Sequence, residues 1–199
     1  MSSLEDAADA LGALPTTFTF AQATAAGMNK HTLYRLRDSG VIESLGRGIY
    51  RRGDGELADH GLIAIATAAP MATLCLSSAL ARHGLSDDIP AAPDIALPRG
   101  SRPPAVRANA RWHSFAADAF TIGRSLTAVD SETSIGIYSP ERSIIDAFRT
   151  RGCEGHELGN EALRRWLRRR GSQPGDLLSL AQHWPRTLTP LGTALEVLL

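Results

Sequence analysis

The chain has 199 residues, of which 43% are hydrophobic and 21% are charged, so its composition is that of a globular protein and not of a disordered one. The 21 basic residues balance 21 acidic ones, which excludes an overall positive field that would draw the protein to nucleic acid or to a membrane. Any nucleic-acid site must therefore be a local patch.

The N-terminal part of the chain predicts three short helices. Apolar residues recur every three or four positions over residues 4–14, which indicates a first helix. Thr19 and Gln22 form a capping-box pattern that starts a second helix. Asn29 suits the N-cap of a third helix, from Lys30 to Ser39. Two helices joined by a tight glycine turn are typical of a helix-turn-helix.

A β-hairpin is predicted directly after the third helix. Residues 41–45 and 49–52 favour strands, and the glycines at positions 46 and 48 favour a turn between them. This order predicts a winged helix-turn-helix domain over residues 1–57. The alternative is a packing unit without a ligand, since winged folds also serve as protein-interaction modules.

Basic residues concentrate on the third helix and the hairpin, where residues 29–53 hold six bases against two acids. Because Leu33 and Leu36 mark the buried face of the helix, the opposite face points outward. These elements touch DNA in winged helix-turn-helix modules. The predicted DNA-binding residues are Lys30, His31, Tyr34, Arg35, Arg37, Arg47, Arg51 and Arg52.

The predicted contacts differ in their chemistry. Arg35 suits paired hydrogen bonds to the O6 and N7 atoms of guanine. Arg47, at the tip of the hairpin, suits the minor groove or the backbone, whereas Arg51 and Arg52 suit phosphates. For each residue alone, a solvated charge is the alternative interpretation.

A long uncharged stretch follows, from residue 61 to residue 81, and its length would allow it to span a bilayer as one helix. Pro70 and several hydroxyl residues argue against a membrane span. We expect instead a buried helix before Pro70, a short strand over residues 72–76, and a second helix capped by Ser77 or Ser78.

Residues 58–199 predict a second, larger domain of mixed α and β structure with a helical C-terminal part, which makes the fold class α+β. Strands are expected over residues 94–97 and 111–115, with three more between Phe120 and Tyr138. Ser139 and Pro140 open a helix as capping preferences require. Further helices are expected over residues 157–170, 174–184 and 190–199.

The helix over residues 157–170 carries arginines on its outer face, while Leu163 and Trp166 point inward. Arginine favours bidentate pairing with carboxylates or phosphates, so this face is a candidate for contacts with a partner. A solvated face is the alternative. The candidate residues are Arg164, Arg165, Arg168 and Arg169.

Catalytic and metal sites find little support. Ser77 or Ser78, His83 and Asp87 come close together in the sequence, but their spacing does not suit a Ser-His-Asp triad, and no G-x-S-x-G motif is present. Asp146 with Arg142 and Arg149 predicts an ion network along one helix. We therefore predict no enzyme, no metal and no cofactor.

The cysteines and the N-terminus bear on the compartment. Cys75 and Cys153 are far apart, with no C-x-x-C motif and no histidine at ligand spacing, which fits a reducing environment. Acidic residues also occupy the N-terminus where a signal peptide needs positive charge. A cytoplasmic protein is expected.

Several blocks of sequence carry a resemblance to a known family. They are AGMNKHTLYRL (26–36), GRGIYR (46–51), LSSALARHGL (76–85), YSPERSIIDAFR (138–149) and EALR (161–164). In this order they resemble the AbiE-type antitoxins of bacterial abortive-infection toxin-antitoxin systems, called type IV. The resemblance covers nearly the whole chain, and the fourth block is its most specific part.

The resemblance implies a winged N-terminal domain that represses its own operon by binding inverted repeats in promoter DNA. It also implies that residues 58–199 form an antitoxin domain that counters a nucleotidyltransferase-like toxin encoded beside it, in phage defence. The family implies no catalytic residue in the antitoxin. Two alternatives remain: a ligand-responsive winged-helix regulator without a toxin partner, and an enzyme with its site near Ser77, His83 or Asp146.

Overall fold

A computed structural model describes residues 4–54, 59–88 and 90–199 and shows the predicted mixture of helices and sheets. The chain divides into two compact units. The first takes the residues up to Ala72 together with Pro103–Asn109 and Thr127–Ile135, and the second takes Thr73–Arg102, Ala110–Leu126 and Gly136–Leu199. These units do not follow the predicted boundary between residues 57 and 58, so the functional division there stays a prediction.

The first unit combines helices with a small sheet. Its elements are α1 (Leu4–Gly12), β1 (Thr17–Thr19), α2 (Phe20–Ala25), α3 (Lys30–Asp38), β2 (Ile42–Gly46), β3 (Ile49–Arg52) and α4 (His60–Ala68). The sheet order is β1-β3-β2, and β3 is antiparallel to both neighbours.

Local capping explains where α2 and α3 begin and end. The predicted capping box is confirmed, because Thr19 Oγ1 accepts from Gln22 N at 3.2 Å and Gln22 Oε1 accepts from Thr19 N at 2.8 Å. Asn29 Oδ1 likewise accepts from Thr32 N at 2.9 Å at the start of α3. Gly40 follows α3 with a φ of 77°, a left-handed conformation that favours glycine.

Strand β1 was not predicted. It has only three residues and runs directly into α2, so the helix cap at Thr19 dominates the local pattern. Its central residue, Phe18, is fully buried and stacks on Tyr50 of β3 with ring centroids 6.1 Å apart. The sheet therefore gains a third strand whose apolar contacts hold the hairpin near the helices.

Two later segments complete the first unit. Residues 103–109 lie along the outer edge of β2, where Val106 forms an antiparallel bridge with Gly46. Val106 and Val129 also pack against a buried cluster of Leu45, Ile49, Ile63 and Ala64. Helix α4 contributes two members of this cluster, which is why it belongs to the first unit.

The second unit contains most of a five-stranded sheet. The strands are β4 (Thr73–Leu74), β5 (Asp94–Pro98), β6 (Arg111–Phe115), β7 (Arg124–Ala128) and β8 (Ser134–Tyr138), in the order β6-β5-β4-β8-β7. Strand β4 is antiparallel to β5 and parallel to β8, and β5 is parallel to β6.

Helices pack against one another in the rest of the second unit. They are α5 (Leu76–Arg82), α6 (Pro140–Arg149), α7 (Arg151–Leu167), α8 (Pro174–Ala181) and α9 (Leu188–Leu198), with a 3-10 turn at Pro185–Thr187. Helix α6 is central, since its Ile144, Ile145 and Phe148 pack with Leu163 and Trp166 of α7. Within the described part of the chain, no helix has both the length and the apolar character needed to cross a membrane.

Some predicted details are wrong. Cys75, and neither Ser77 nor Ser78, occupies the N-cap of α5, because both serine side chains bind Asp94 instead. Two strands, not three, lie between residues 120 and 138, since residues before Arg124 form turns.

The C-terminal helices also start earlier than predicted, α7 at Arg151 and α9 at Leu188. The glycines near the start of α7 and Pro190 in α9 hid these first turns, because both residue types have low helix propensity. The cap of α6 is confirmed, with Ser139 Oγ accepting from Arg142 N at 3.2 Å.

Candidate functional site

Helix α3 presents the predicted residues on one exposed face. Thr32, Leu33 and Leu36 are buried on the opposite side and anchor the helix in the core of the first unit. The exposed residues are Lys30, His31, Tyr34, Arg35 and Arg37. The spacing along the helix thus predicted its outward face correctly.

Tyr34 sits between two cations on this face. The Lys30 Nζ atom lies 5.4 Å from the ring centroid, and the Arg37 guanidinium lies 4.7 Å from it. Arg37 also pairs with Asp38 at 2.7 Å, and this hydrogen bond raises the pKa of Arg37. Arg35 has no ion pair among residues 4–54, 59–88 and 90–199, so its guanidinium is available to a ligand.

The hairpin offers one exposed arginine and one that is partly engaged. Arg47 is exposed in the turn between β2 and β3, next to Gly48, whose φ of 72° makes the tight turn possible. Arg52 is half-buried, pairs with Asp54 at 3.1 Å and donates to the carbonyl of Leu11. Arg47 therefore presents the more accessible charge.

Arg51 is corrected from a phosphate contact to a structural residue. Only 1% of it is exposed, and its Nη1 donates to Thr17 Oγ1 at 2.7 Å and to Asp130 Oδ2 at 3.0 Å. Burial raises the pKa of Asp130, but hydrogen bonds from the turn at Glu132 and Thr133 and from Arg51 outweigh burial and lower that pKa below its ordinary value. The sequence hid this partner because it lies 79 positions away.

The arginines of α7 fall into two groups. Arg165 donates to Asp87 from Nη1 and Nη2, at 2.7 and 2.5 Å, and to Glu161 from Nε at 2.7 Å. Hydrogen bonds from Arg165 lower the pKa values of Asp87 and Glu161. Arg169 donates to the carbonyl of His83. These contacts link α7 to His83 and Asp87, and the proposed role of Arg165 and Arg169 in binding a partner stays a prediction.

Arg164 and Arg168 stay exposed beside apolar surface. Arg164 makes an ion pair at 2.7 Å with Glu161, whereas Arg168 has no ion pair in the part of the chain that the structure describes. A cleft of about 400 Å³ next to Arg164 is lined by Phe148, Pro190, Ala194 and Leu198, among others. A second cleft joins Arg164 and Arg168 to Leu167 and Leu199.

Ser77, His83 and Asp87 do not form a triad. His83 Nε2 lies 2.7 Å from the carbonyl oxygen of Tyr138, and Asp87 is bound by Arg165. Ser77 instead donates to the carboxylate of Asp94. The structure thus gives each of the three a different partner.

Asp94 is the centre of a polar cluster that the sequence did not reveal. It is fully buried, with Arg111 Nη2 at 2.7 Å and His113 Nε2 at 2.9 Å from its carboxylate oxygens. Burial raises its pKa, but hydrogen bonds from His113, Ser77 and Arg111 outweigh burial and lower the pKa below its ordinary value. The cluster therefore links α5, β5 and β6.

A second buried network lies on α6. Asp146 is fully buried and accepts from Arg142 Nε at 2.9 Å and from Arg149. Burial raises the pKa of Asp146, and the two guanidiniums oppose that shift. Arg142 Nη1 also donates to the carbonyls of Ala119 and Ile122. The network predicted along the helix is therefore a buried junction.

Residues 15–53 match a family model described as a transcriptional regulator, AbiEi antitoxin. The match spans β1, α2, α3 and the β2–β3 hairpin, which together hold the exposed cationic face. The resemblance to the AbiEi antitoxins is confirmed over these residues. No curated protein matches the chain.

Proposed function

From the likeness of residues 15–53 to AbiEi antitoxin regulators, we propose that the protein is an antitoxin that represses its own operon by binding inverted repeats in promoter DNA. The observation that carries this proposal is the exposed face of α3, where Lys30, Arg35 and Arg37 lie in the matched segment. In the proposed winged helix-turn-helix, α3 enters the major groove and the β2–β3 hairpin is the wing.

Each exposed side chain then has a defined role. Arg35 donates two hydrogen bonds to guanine, because its guanidinium is not engaged in an ion pair within the described residues. Lys30 and Arg37 flank Tyr34 and bind phosphates, together with His31 at the start of the helix. Arg47 and the half-buried Arg52 extend this contact from the hairpin to the backbone.

Replacing Arg35 with alanine is expected to weaken binding to the operator by about 1–3 kcal/mol and to relax base preference at one position of each repeat. The measurement is a titration of the DNA directly upstream of the coding sequence, at stated salt, against duplexes with single base changes. Arg99→Ala, which removes an exposed arginine of the second unit, is the control. Equal affinity of the Arg35→Ala variant and the parent contradicts the role of α3.

The antitoxin activity is proposed to reside in residues 58–199 and to act on a nucleotidyltransferase-like toxin encoded next to this chain, without catalysis by the antitoxin. Arg164 and Arg168 support a direct contact, since they are exposed arginines beside apolar clefts. Arginine next to apolar surface is the combination enriched at protein interfaces. The two other candidates on α7, Arg165 and Arg169, already bind Asp87 and the carbonyl of His83, so Arg164 and Arg168 carry the proposed contact.

Changing Arg164 and Arg168 together to glutamate is expected to abolish rescue from the toxin, because the change removes both proposed contacts and reverses their charge, which lowers affinity by tenfold or more, ~1.4 kcal/mol. The assay expresses the adjacent reading frame with the full chain and counts surviving colonies. Arg99→Glu with Arg102→Glu is the matched control, at two exposed arginines outside α7. Full rescue by the α7 variant moves the interface elsewhere.

A ligand-responsive regulator is the second candidate function. It is favoured by a cleft of about 550 Å³ in the second unit that combines Trp184 and Phe148 with Arg149, His183 and Arg186. An apolar wall with a few convergent polar groups suits a small ligand. DNA binding without toxicity of the neighbouring gene supports this candidate over the antitoxin.

A further inference from the structure

We propose that Arg107 is a further DNA-contacting residue and that residues 103–109 form part of the wing. This inference rests on the proposed DNA-binding function and adds to it a phosphate contact from the second half of the chain. Neither the charge pattern of residues 29–53 nor the matched segment includes this residue.

The position of Arg107 follows from backbone pairing with the hairpin. Arg107 N donates to Leu45 O at 3.0 Å, and Arg47 N donates to Ala105 O at 3.3 Å. These two bonds flank the antiparallel bridge between Gly46 and Val106. Arg47 and Arg107 are therefore diagonal neighbours across the two strands, a relation in which residues lie about 7–8 Å apart.

Both arginines are exposed at this edge. No ion pair of Arg107 occurs among the residues that the structure describes, and segment 103–109 contains no acidic residue. The nearby acid on β2, Glu43, pairs with His60 at 3.0 Å. The edge thus presents two available guanidiniums that suit adjacent phosphates of one strand.

The segment is also held in place before any ligand binds. Pro103 and Pro104 fix their φ angles and restrict the chain that leads to the bridge. Val106 is anchored in the apolar cluster of Leu45 and Ile49. An arginine on such a fixed segment loses little backbone freedom on binding, which favours its use in recognition.

The test measures binding to the DNA directly upstream of the coding sequence and to a random-sequence duplex, over a range of salt. Arg107→Ala is expected to reduce the slope of log affinity against log salt by about 0.9, which corresponds to roughly eightfold weaker binding at 0.1 M salt. The loss is expected on both duplexes. Arg107→Lys restores most of the affinity, and Arg99→Ala is the control.

The outcomes separate this inference from the proposed function. If Arg35→Ala weakens binding and Arg107→Ala leaves affinity and slope unchanged, the inference is wrong and the proposed function stands. If the parent protein binds neither duplex, both fail. A loss confined to the upstream DNA contradicts a phosphate contact, because phosphates carry no sequence information.

A double-mutant cycle that combines Arg107→Ala with Gly46→Ala tests whether the contact depends on the pairing of residues 103–109 with β2. A Cβ atom at position 46 would lie 3.0 Å from Val106 Cα and 3.1 Å from its Cγ1, so the alanine shifts the bridged segment by a few tenths of an ångström. Arg107→Ala is then expected to cost less than in the parent background. Equal costs in the two backgrounds contradict a contact that depends on the bridge.

Discussion

Replacing Arg142 with alanine is expected to lower the free energy of unfolding by about 3–5 kcal/mol, because the change leaves a buried carboxylate with one of its two partners. Arg142 is 1% exposed and Asp146 is not exposed at all. The guanidinium also stacks on Trp184, with its carbon 3.9 Å from the ring centroid, and on Tyr138 at 4.3 Å. Arg142 thus neutralises the carboxylate of Asp146 and also packs against Tyr138 and Trp184.

The size of this effect depends on burial and not on the spacing of the ion pair. An Arg–Asp pair four residues apart on an exposed helix contributes about 0.5 kcal/mol or less. Removal of the Arg142 side chain also takes the hydrogen-bond donor from the carbonyls of Ala119 and Ile122, which accept from Arg142 at 2.9 and 2.7 Å. Acceptors that lose their partner in a partly buried position add a desolvation cost of their own.

Urea denaturation of the full chain, followed by circular dichroism, measures the change. Arg168→Ala is the matched control, since it removes an exposed arginine from the same unit and is expected to stay within about 0.5 kcal/mol of the parent. A loss below about 1 kcal/mol for Arg142→Ala contradicts the junction described for α6.

Replacing Arg51 with alanine is the second large change, and it is expected to lower the free energy of unfolding by about 3–5 kcal/mol. The side chains of Arg51 and Asp130 are 1% and 3% exposed, so the variant leaves an acid in the interior of the first unit. Folded Arg51→Ala protein is expected to keep the salt slope of the parent in DNA titrations. A reduced slope with full stability supports the original interpretation as a phosphate contact.

Acid conditions provide a second readout for this pair. The pKa of Asp130 is lower in the folded protein than its unfolded value of about 3.9, so the stabilisation is present above about pH 4 and is lost as the pH falls through the folded pKa. Hydrogen bonds from the turn at Glu132 and Thr133 lower this pKa more than Arg51 does, so the stability difference between the parent and Arg51→Ala is expected to narrow below pH 4 only by the share that Arg51 contributes. A constant difference from pH 7 to pH 3 contradicts a contribution of Arg51 to the pKa of Asp130.

Local signals in the sequence predicted local structure. The caps at Thr19, Asn29 and Ser139 and the outward face of α3 appear as expected, because each depends on residues within one or two helical turns. Strand β1 was not predicted, because a strand of three residues is too short to show an alternating pattern. The start of α7 at Arg151 was not predicted, because glycines interrupt the helical pattern of its first turns.

Partners distant in the sequence could not be predicted. The sequence alone predicts that Arg51 and Arg165 are solvated or bind a ligand. The structure shows that they pair with Asp130 and Asp87. The clustering of Ser77 and Arg111 around Asp94 is similarly invisible, since it requires three elements to meet. Sequence reasoning thus found the exposed cations of α3 and overestimated the number of free arginines elsewhere.

The pairing of Val106 with Gly46 and of Asp130 with Arg51 bears on how the protein is synthesised and how it evolves. During translation the edge of β2 stays open to other chains until residues 103–109 have left the ribosome, and Arg51 lacks its acidic partner until Asp130 has followed. A single recombination event after residue 57 would also separate the hairpin from the segments that cover it. Inheritance of the two halves as one gene keeps this unit whole.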